Sequence, residues 1–146
     1  SLKETLNNDI KTAMKAKDKE TLAVLRMIKT AVQAAEIDKK EELNAEEELT
    51  ILAREAKQRR ESLAEFVKAG RDELVAKTET EIEIVERYLP KQLSVEEVKE
   101  VIATVAEKIG ATTQKEFGKL MGAVMQELKG KADGNVIKEQ VKAHLG

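Results

Sequence analysis

The residues best suited to chemistry lie in a lysine- and glycine-rich segment near the C-terminus. Gly118 and Gly122 are four residues apart within a helical apolar pattern, although each glycine costs a helix interior roughly 1 kcal/mol relative to alanine. Lys115, Lys119 and Lys129 recur on the same face. A bare backbone flanked by lysines lets a phosphate chain come close, whereas the same glycines could instead admit a neighbouring helix. The sequence leaves these two interpretations open.

A basic loop follows this segment. Lys129 and Lys131 lie on either side of Gly130, and Asn135 comes at the start of the next helix. Backbone N–H groups at a helix N-terminus favour an anion, although Asp133 competes for them as the cap. The predicted contacts to a phosphate chain are therefore Lys115, Lys119, Lys129, Lys131 and Asn135, with close approach at Gly118 and Gly122.

A second basic cluster lies between Arg54 and Arg71, where six cationic side chains accompany three acidic ones. Runs of charge most often form a solvated helix face, and that interpretation stands beside a binding role. Arg59 is unusual because it falls where the apolar stripe of its helix would continue. We expect Arg59 to reach a carboxylate at the edge of the core, and we keep Arg59 and Arg60 as reserve candidates for ligand contact.

Self-contained catalysis has little support in this sequence. The only histidine, His144, has no recognisable nucleophile or carboxylate partner, and a surface histidine near a helix C-terminus is the simpler interpretation. There is no cysteine, no serine in a nucleophile-elbow pattern and no glycine-rich phosphate loop. Glu79, Glu83 and Glu86 share a helical face that could hold a hard cation, but a solvated face is more usual. We predict no catalytic residue, metal or cofactor.

Composition places the elements that must carry these residues in the all-α class. The 146 residues are 37% charged, against about 25% in average proteins, and only 2% aromatic. One proline and seven glycines leave too little turn chemistry for a β-sandwich or barrel, which excludes an all-β fold. The net charge is −2, so binding to a polyanion must come from a local patch.

Three absences bear on location. No apolar run is long enough to cross a membrane, and the first residues, 1–4, lack the apolar stretch of a signal peptide. Without cysteine there is no disulfide framework. We therefore expect a cytoplasmic protein that does not associate with membranes.

Apolar residues that recur every three to four positions predict seven helices. The predicted helices cover about residues 2–16, 18–37, 44–69, 71–89, 94–109, 113–128 and 133–145. Pro90 must end the fourth helix, because proline lacks an N–H and disfavours helix in the residue before it. We predict an N-terminal four-helix domain over residues 1–92 and a small three-helix tail domain over residues 93–146.

Capping signals support these helix ends. Three pairs have the spacing of a capping box, namely Asn44 with Glu47, Ser94 with Glu97 and Thr113 with Glu116. The expected single caps are Asp18 and Asp133, and the expected stops are Gly70, Gly110 and Gly130.

Motifs in both parts of the chain resemble a known family. Gly118-Lys119-x-x-Gly122-x-x-Met125 and residues 129–134 resemble the tail domain of the GatB subunit of tRNA-dependent amidotransferases. Residues 57–62, 66–71 and 88–94 resemble the stand-alone YqeY-like proteins, which carry the same tail. The resemblance covers essentially the whole chain. Gly134 stands where the GatB tail commonly has proline, and the amidotransferase catalytic body is missing.

The resemblance implies an all-helical protein whose tail touches tRNA, and a family association with carbon–nitrogen ligases that use glutamine as amido donor. We therefore expect a non-catalytic, tRNA-associated accessory protein. Its tail would bind folded tRNA by backbone and shape, because three aromatic residues suit no base-stacking recognition. The lysines, the two arginines and Asn135 named above are then the expected RNA contacts. The alternative is a protein–protein adaptor that docks on an aminoacyl-tRNA synthetase or an amidotransferase without touching RNA.

Overall fold

The computed structural model describes all residues from 1 to 146 and confirms the all-α class, with 79% of the chain helical and no strand. One 3₁₀ turn, Gln114–Glu116, precedes the sixth α-helix. The seven α-helices are α1 (Leu2–Lys15), α2 (Lys19–Lys39), α3 (Ala45–Lys68), α4 (Asp72–Glu86), α5 (Val95–Ile109), α6 (Phe117–Leu128) and α7 (Gly134–Leu145). No helix combines the length and the apolar character needed to cross a bilayer.

The chain divides into two compact units, a first unit over Ser1–Leu89 and a second unit over Pro90–Gly146. Helix α4 ends at Glu86, three residues before the predicted end at Leu89. The N–H groups of Tyr88 and Leu89 donate to the carbonyls three residues before them, so the chain leaves the helix through a tighter turn. The restriction that Pro90 places on the preceding backbone favours this early ending.

The first unit holds its own hydrophobic core. Helix α1 packs against α2, α3 packs against α4, and α2 contacts both α3 and α4. The core residues are Leu6, Val24, Leu25, Ile28, Val32, Ile51, Leu52, Ala56, Ile84 and Val85. Each of the four helices therefore contributes at least one buried apolar side chain to a shared interior.

The second unit is a three-helix arrangement in which α5, α6 and α7 all contact one another. Its core residues are Val98, Ile102, Val105, Ala106, Ala111, Leu120, Val124, Leu128, Ile137, Val141 and Leu145. Leu93 packs against this core just before α5 begins, in the same cluster as Val98. This placement agrees with the hydrophobic-staple spacing of Leu93 and Val98.

Side-chain caps start the helices as the sequence predicts. The capping boxes at Asn44 and Ser94 are complete, with both reciprocal hydrogen bonds formed. The third predicted capping box, Thr113 with Glu116, also forms, and the Glu116 carboxylate accepts from the backbone N–H groups of Thr112 and Thr113. This box opens the 3₁₀ turn, so α6 itself begins only at Phe117.

Helix α2 runs two residues beyond its predicted end and closes at Lys39. Lys40 takes the left-handed conformation, with φ of 64°, and its N–H donates to the Glu36 carbonyl. The Lys39 ammonium group donates to the Glu47 carboxylate at 2.5 Å, which ties the last turn of α2 to the first turn of α3. This contact between two helices stabilises the short connection between α2 and α3, which the predicted helices leave as residues 38–43.

Candidate nucleic-acid interface

Helix α6 has a buried apolar side and an exposed side that carries two glycines. Leu120, Val124 and Leu128 are buried in the core of the second unit and anchor one side of the helix. Gly118, Lys119, Gly122 and Gln126 are exposed on the other side. We refer to the exposed surface formed by Gly118, Lys119 and Gly122 as the glycine–lysine face.

The space around the two glycines tests one of the two interpretations, close packing of a neighbouring helix. Beyond its chain neighbours and the backbone of its own helix, a methyl group added at Gly118 or at Gly122 would meet no atom within 4 Å. No neighbouring helix therefore packs closely on either position, and packing within this chain does not explain the glycines. The helix backbone at this face is open to an external partner.

The predicted lysines lie at both ends of this face. Lys115 is exposed in the 3₁₀ turn that precedes α6, whereas Lys129 is half-buried just past the helix C-terminus. Twelve helical residues separate these two ends by about 18 Å along the axis. Lys119 lies between them and is exposed. The ammonium groups are thus spread along the helix rather than gathered at one point.

The electrostatics at the start of α6 are partly balanced by an acid. Hydrogen bonds from the backbone N–H groups of Thr112 and Thr113 lower the pKa of Glu116, and the nearby charge of Lys119 lowers it further. The Glu116 carboxylate is therefore ionised at neutral pH and committed to capping. Lys119 keeps an exposed ammonium group with no salt bridge.

The loop between α6 and α7 places Lys131 on the surface. Its own backbone is held at both polar groups, because its N–H donates to the Leu128 carbonyl and its carbonyl accepts from the Leu93 N–H, each at 2.8 Å. Asn135 is exposed, but its N–H donates to the Asp133 carboxylate at 2.7 Å. Asp133 thus occupies part of the α7 N-terminus, and the lysines carry most of the attraction for an anion.

Gln92 is a positioning residue that the sequence analysis missed. Its side-chain amide donates to the Gly130 carbonyl at 2.7 Å and to the Pro90 carbonyl at 2.9 Å. Together with the Leu93 backbone bond, this amide fixes the loop that carries Lys131. The sequence signal that could have found Gln92 is the 88–94 stretch, because its resemblance to the YqeY-like proteins continues past Pro90 and includes residue 92.

Arg59 does not lie on an exposed surface, and its selection as a reserve RNA contact is corrected. Its side chain is buried, and only 7% of the residue is exposed. The guanidinium contacts the Glu55 carboxylate at 3.0 Å and the Glu81 carboxylate at 3.4 Å. The expected reach to a carboxylate at the core edge is thereby confirmed. The reason is position, because Arg59 falls on the stripe that faces the other helices.

Arg60 also belongs to the contact between α3 and α4. It is half-buried, and its guanidinium lies 3.9 Å from the Glu86 carboxylate. The two reserve arginines are thus ion-paired within the first unit, whereas Lys119 and Lys131 of the second unit are exposed. The structure groups Gly118, Lys119 and Gly122 on one face of α6, with Lys115 before that helix and Lys129 and Lys131 after it, whereas Asn135 lies in α7.

The fold and this face define a class of protein: an all-helical protein with a three-helix unit, in which one exposed helix backbone is flanked by lysines. The model of the Yqey-like protein family matches residues 3–145. The chain belongs to the YqeY-like family.

Curated relatives extend the comparison to fungi. A protein of Kluyveromyces lactis named Altered inheritance of mitochondria protein 41, mitochondrial, is 32% identical over 139 residues, which are 94% of this chain and 72% of that protein. Proteins of the same name are 28% identical in Candida glabrata and 25% identical in Pyrenophora tritici-repentis. These alignments cover 95% and 97% of this chain, and 75% and 79% of the relatives.

These names overturn the expected cytoplasmic location, because the relatives are named as mitochondrial proteins. As far as targeting is concerned, the expectation rested on the absence of the apolar stretch that marks a secretory signal. Mitochondrial targeting segments are amphipathic and rich in arginine and serine rather than apolar. The absence of an apolar stretch therefore carries no weight against them.

Proposed function

We propose that the protein is a non-catalytic, tRNA-associated accessory protein that binds folded tRNA through its second unit. The observation that carries the proposal is the open backbone at Gly118 and Gly122, which no part of the chain covers, beside the exposed Lys119. The resemblance of this segment to the tail domain of an amidotransferase subunit supports tRNA as the ligand.

The chemistry of the face suits a phosphate backbone rather than bases. Lysine ammonium groups contact phosphates without reading sequence, and a helix without side chains lets the sugar–phosphate chain come within contact distance. The chain has one tyrosine, two phenylalanines and no tryptophan, which leaves little for stacking on bases. Recognition by shape and backbone is the mode that folded RNA helices allow.

The proposed role is auxiliary to amide transfer. In this proposal the chemistry of amide transfer belongs to a partner enzyme, an amidotransferase or an aminoacyl-tRNA synthetase, and its support is the resemblance to an amidotransferase subunit whose catalytic body this chain lacks. This protein would hold the tRNA. Purified protein incubated with misacylated tRNA, ATP and glutamine is expected to form no amide product. Turnover by this chain alone that a substitution within it abolishes would contradict the non-catalytic role.

An adaptor that binds protein rather than RNA is the second candidate. It is favoured by the exposed large apolar side chains, because four of the five lie in the first unit. These four are Met14, Met27, Ile37 and Val67. Apolar side chains on a surface serve protein contacts, whereas a phosphate backbone gains nothing from them.

A titration of total tRNA at two salt concentrations tests the proposal. The double variant K119A/K131A is expected to weaken binding about tenfold at low salt and to reduce the salt slope by about 2, one for each phosphate contact. The matched control is K99A/K108A, which removes the same charge from α5 of the same unit. Equal affinity in the folded K119A/K131A variant would contradict a site on this face. If the parent protein binds no tRNA at low salt, the adaptor takes precedence.

A further inference from the structure

The first unit contains a cleft that the proposed tRNA role does not use. It lies between α1, α2 and the residues that follow α4, and its volume is about 380 Å³. Small-molecule sites in proteins span roughly 300–1,000 Å³, so the cleft is large enough for a compact metabolite. Ala13 and Leu25 are buried beneath it and form an apolar floor.

Charges of both signs line the rim of this cleft. Asp9 and Asp18 supply carboxylates from α1 and from the start of α2, and Arg87 supplies a guanidinium from the end of α4. The Arg87 charge helps to lower the pKa of Asp18, after the larger effect of the two hydrogen bonds from Thr21. Arg87 is exposed and its guanidinium forms no salt bridge and no hydrogen bond. It is therefore available to an anionic group.

The threonine hydroxyl groups around the cleft already donate their hydrogen bonds within the protein. The Thr5 hydroxyl donates to the Ser1 carbonyl, and the Thr12 hydroxyl donates to the Asn8 carbonyl. The Thr21 hydroxyl donates to Asp18 at 2.7 Å. What these groups can still offer a ligand is their lone pairs, so this side of the cleft accepts hydrogen bonds rather than donating them.

Tyr88 completes the same pattern. Its hydroxyl donates to Oδ2 of Asp9, and burial together with that bond raises the pKa of Tyr88, so the proton stays in place at physiological pH. The other carboxylate oxygen of Asp9, Oδ1, has no partner. A ligand that complements these acceptors carries several N–H donors and a positive charge.

The hydrogen-bond acceptors and the Arg87 guanidinium together favour one class of ligand. A cation alone would satisfy the acceptors but would be repelled by Arg87, and an anion alone would be repelled by the two carboxylates. We propose that this cleft binds a free aliphatic α-amino acid. The ammonium group would lie against Asp9 and the threonine hydroxyls, the carboxylate against Arg87, and the side chain over Ala13 and Leu25. The proposal does not rest on the tRNA role, because every residue involved lies in the first unit.

Nitrogen-15 NMR titration of the full chain with L-leucine tests this site. We expect shifts concentrated at the amides of residues 9–25 and 87–88. The variants D9N and R87Q are each expected to raise the dissociation constant at least about tenfold, since each removes a charged hydrogen-bonding partner.

Controls separate charge at the cleft from charge in general. R71Q and D72N remove one charge of each sign at the far end of α4, about 20 Å away, and are expected to change the dissociation constant less than about twofold. Isopentylamine and 4-methylpentanoate, which carry only one of the two charged groups, are expected to bind at least about tenfold more weakly than leucine. The proposal is overturned by three results: no shift up to about 50 mM leucine, equal losses in the controls, or the amine alone binding as tightly as leucine.

Discussion

Both units carry a cluster of basic side chains, and the two clusters end in opposite environments. In the first unit, Arg59 is buried between Glu55 and Glu81, and its charge is paired with these carboxylates of α3 and α4. In the second unit, Lys119 and Lys131 are exposed and form no salt bridge. The local net charge of a segment therefore does not indicate by itself whether its basic side chains are exposed. The position of each cation relative to the apolar stripe of its helix decides whether the charge faces inward or outward.

The glycines sharpen the same comparison. Gly70 in the first unit takes a positive φ of 66° just past the end of α3, where a turn requires it. Gly118 and Gly122 lie within α6, where the backbone has ordinary helical dihedral angles and alanine would fit. A glycine that the fold needs and a glycine that the fold merely tolerates can thus be told apart by conformation and surrounding space.

The largest expected effect comes from Arg59→Ala, which should lower the free energy of unfolding of the first unit by about 3 kcal/mol. Removing one partner of a buried ion pair leaves the other charges uncompensated, and Glu55 and Glu81 are 12% and 25% exposed. Urea unfolding followed by tyrosine fluorescence measures this change, because Tyr88 is the only tyrosine, the chain has no tryptophan, and Tyr88 lies in the first unit.

The matched control is Arg54→Ala, an exposed arginine on the same helix, which should change stability by less than about 0.5 kcal/mol. Arg59→Ala should leave tRNA affinity unchanged under conditions where the first unit stays folded. A variant that keeps its stability and loses tRNA affinity would place Arg59 on the ligand instead, and the contrast between the two clusters would fail.

A smaller effect of opposite sign is expected at the glycine–lysine face. Gly118→Ala and Gly122→Ala should each stabilise the second unit by about 0.5–1 kcal/mol, because alanine loses less backbone entropy and meets no atom within 4 Å. The same substitutions should weaken tRNA binding, and Gly122→Leu should weaken it further. Thermal unfolding by circular dichroism and the tRNA titration measure the two quantities.

Gln126→Ala is the control for these glycine substitutions, since residue 126 is exposed on the same helix and already carries a side chain. It should change tRNA affinity less than either glycine variant. If the glycine variants are more stable and bind tRNA as tightly as the parent, close approach of a phosphate chain to the α6 backbone is wrong.

Helix starts were predictable because the chemistry that begins a helix is local. Ser94 and Glu97 are three residues apart in the sequence, and the two hydrogen bonds between them require nothing from the rest of the chain. The burial of Arg59 was partly predictable for a related reason, because its register on α3 follows from the periodicity. The partner on α4, Glu81, could not be named, since its contact joins residues from two helices.

What the sequence could not supply depends on contacts between distant segments. The Lys39–Glu47 bond joins the end of α2 to the start of α3, and the Gln92 amide joins the residues around Pro90 to the basic loop. Gly118 is open because neither α5 nor α7 packs over it, and no local sequence pattern can show this. The sequence therefore indicated which basic residues and glycines to examine, and the three-dimensional arrangement determined which of them are exposed.

The smallest expected effect concerns pH and the caps. Backbone and side-chain hydrogen bonds from Ser94 lower the pKa of Glu97 below its ordinary value of 4.5. Because the folded pKa is the lower one, this stabilisation is present above about pH 4.5 and is lost as pH falls through the folded pKa. Glu97→Gln keeps a capping side chain that does not titrate. Thermal midpoints from about pH 6 to about pH 3 should therefore fall less steeply in Glu97→Gln than in the parent. Glu127→Gln, which removes the same charge from a glutamate that caps no helix, should follow the parent; equal slopes in all three proteins would remove the cap from the acid response.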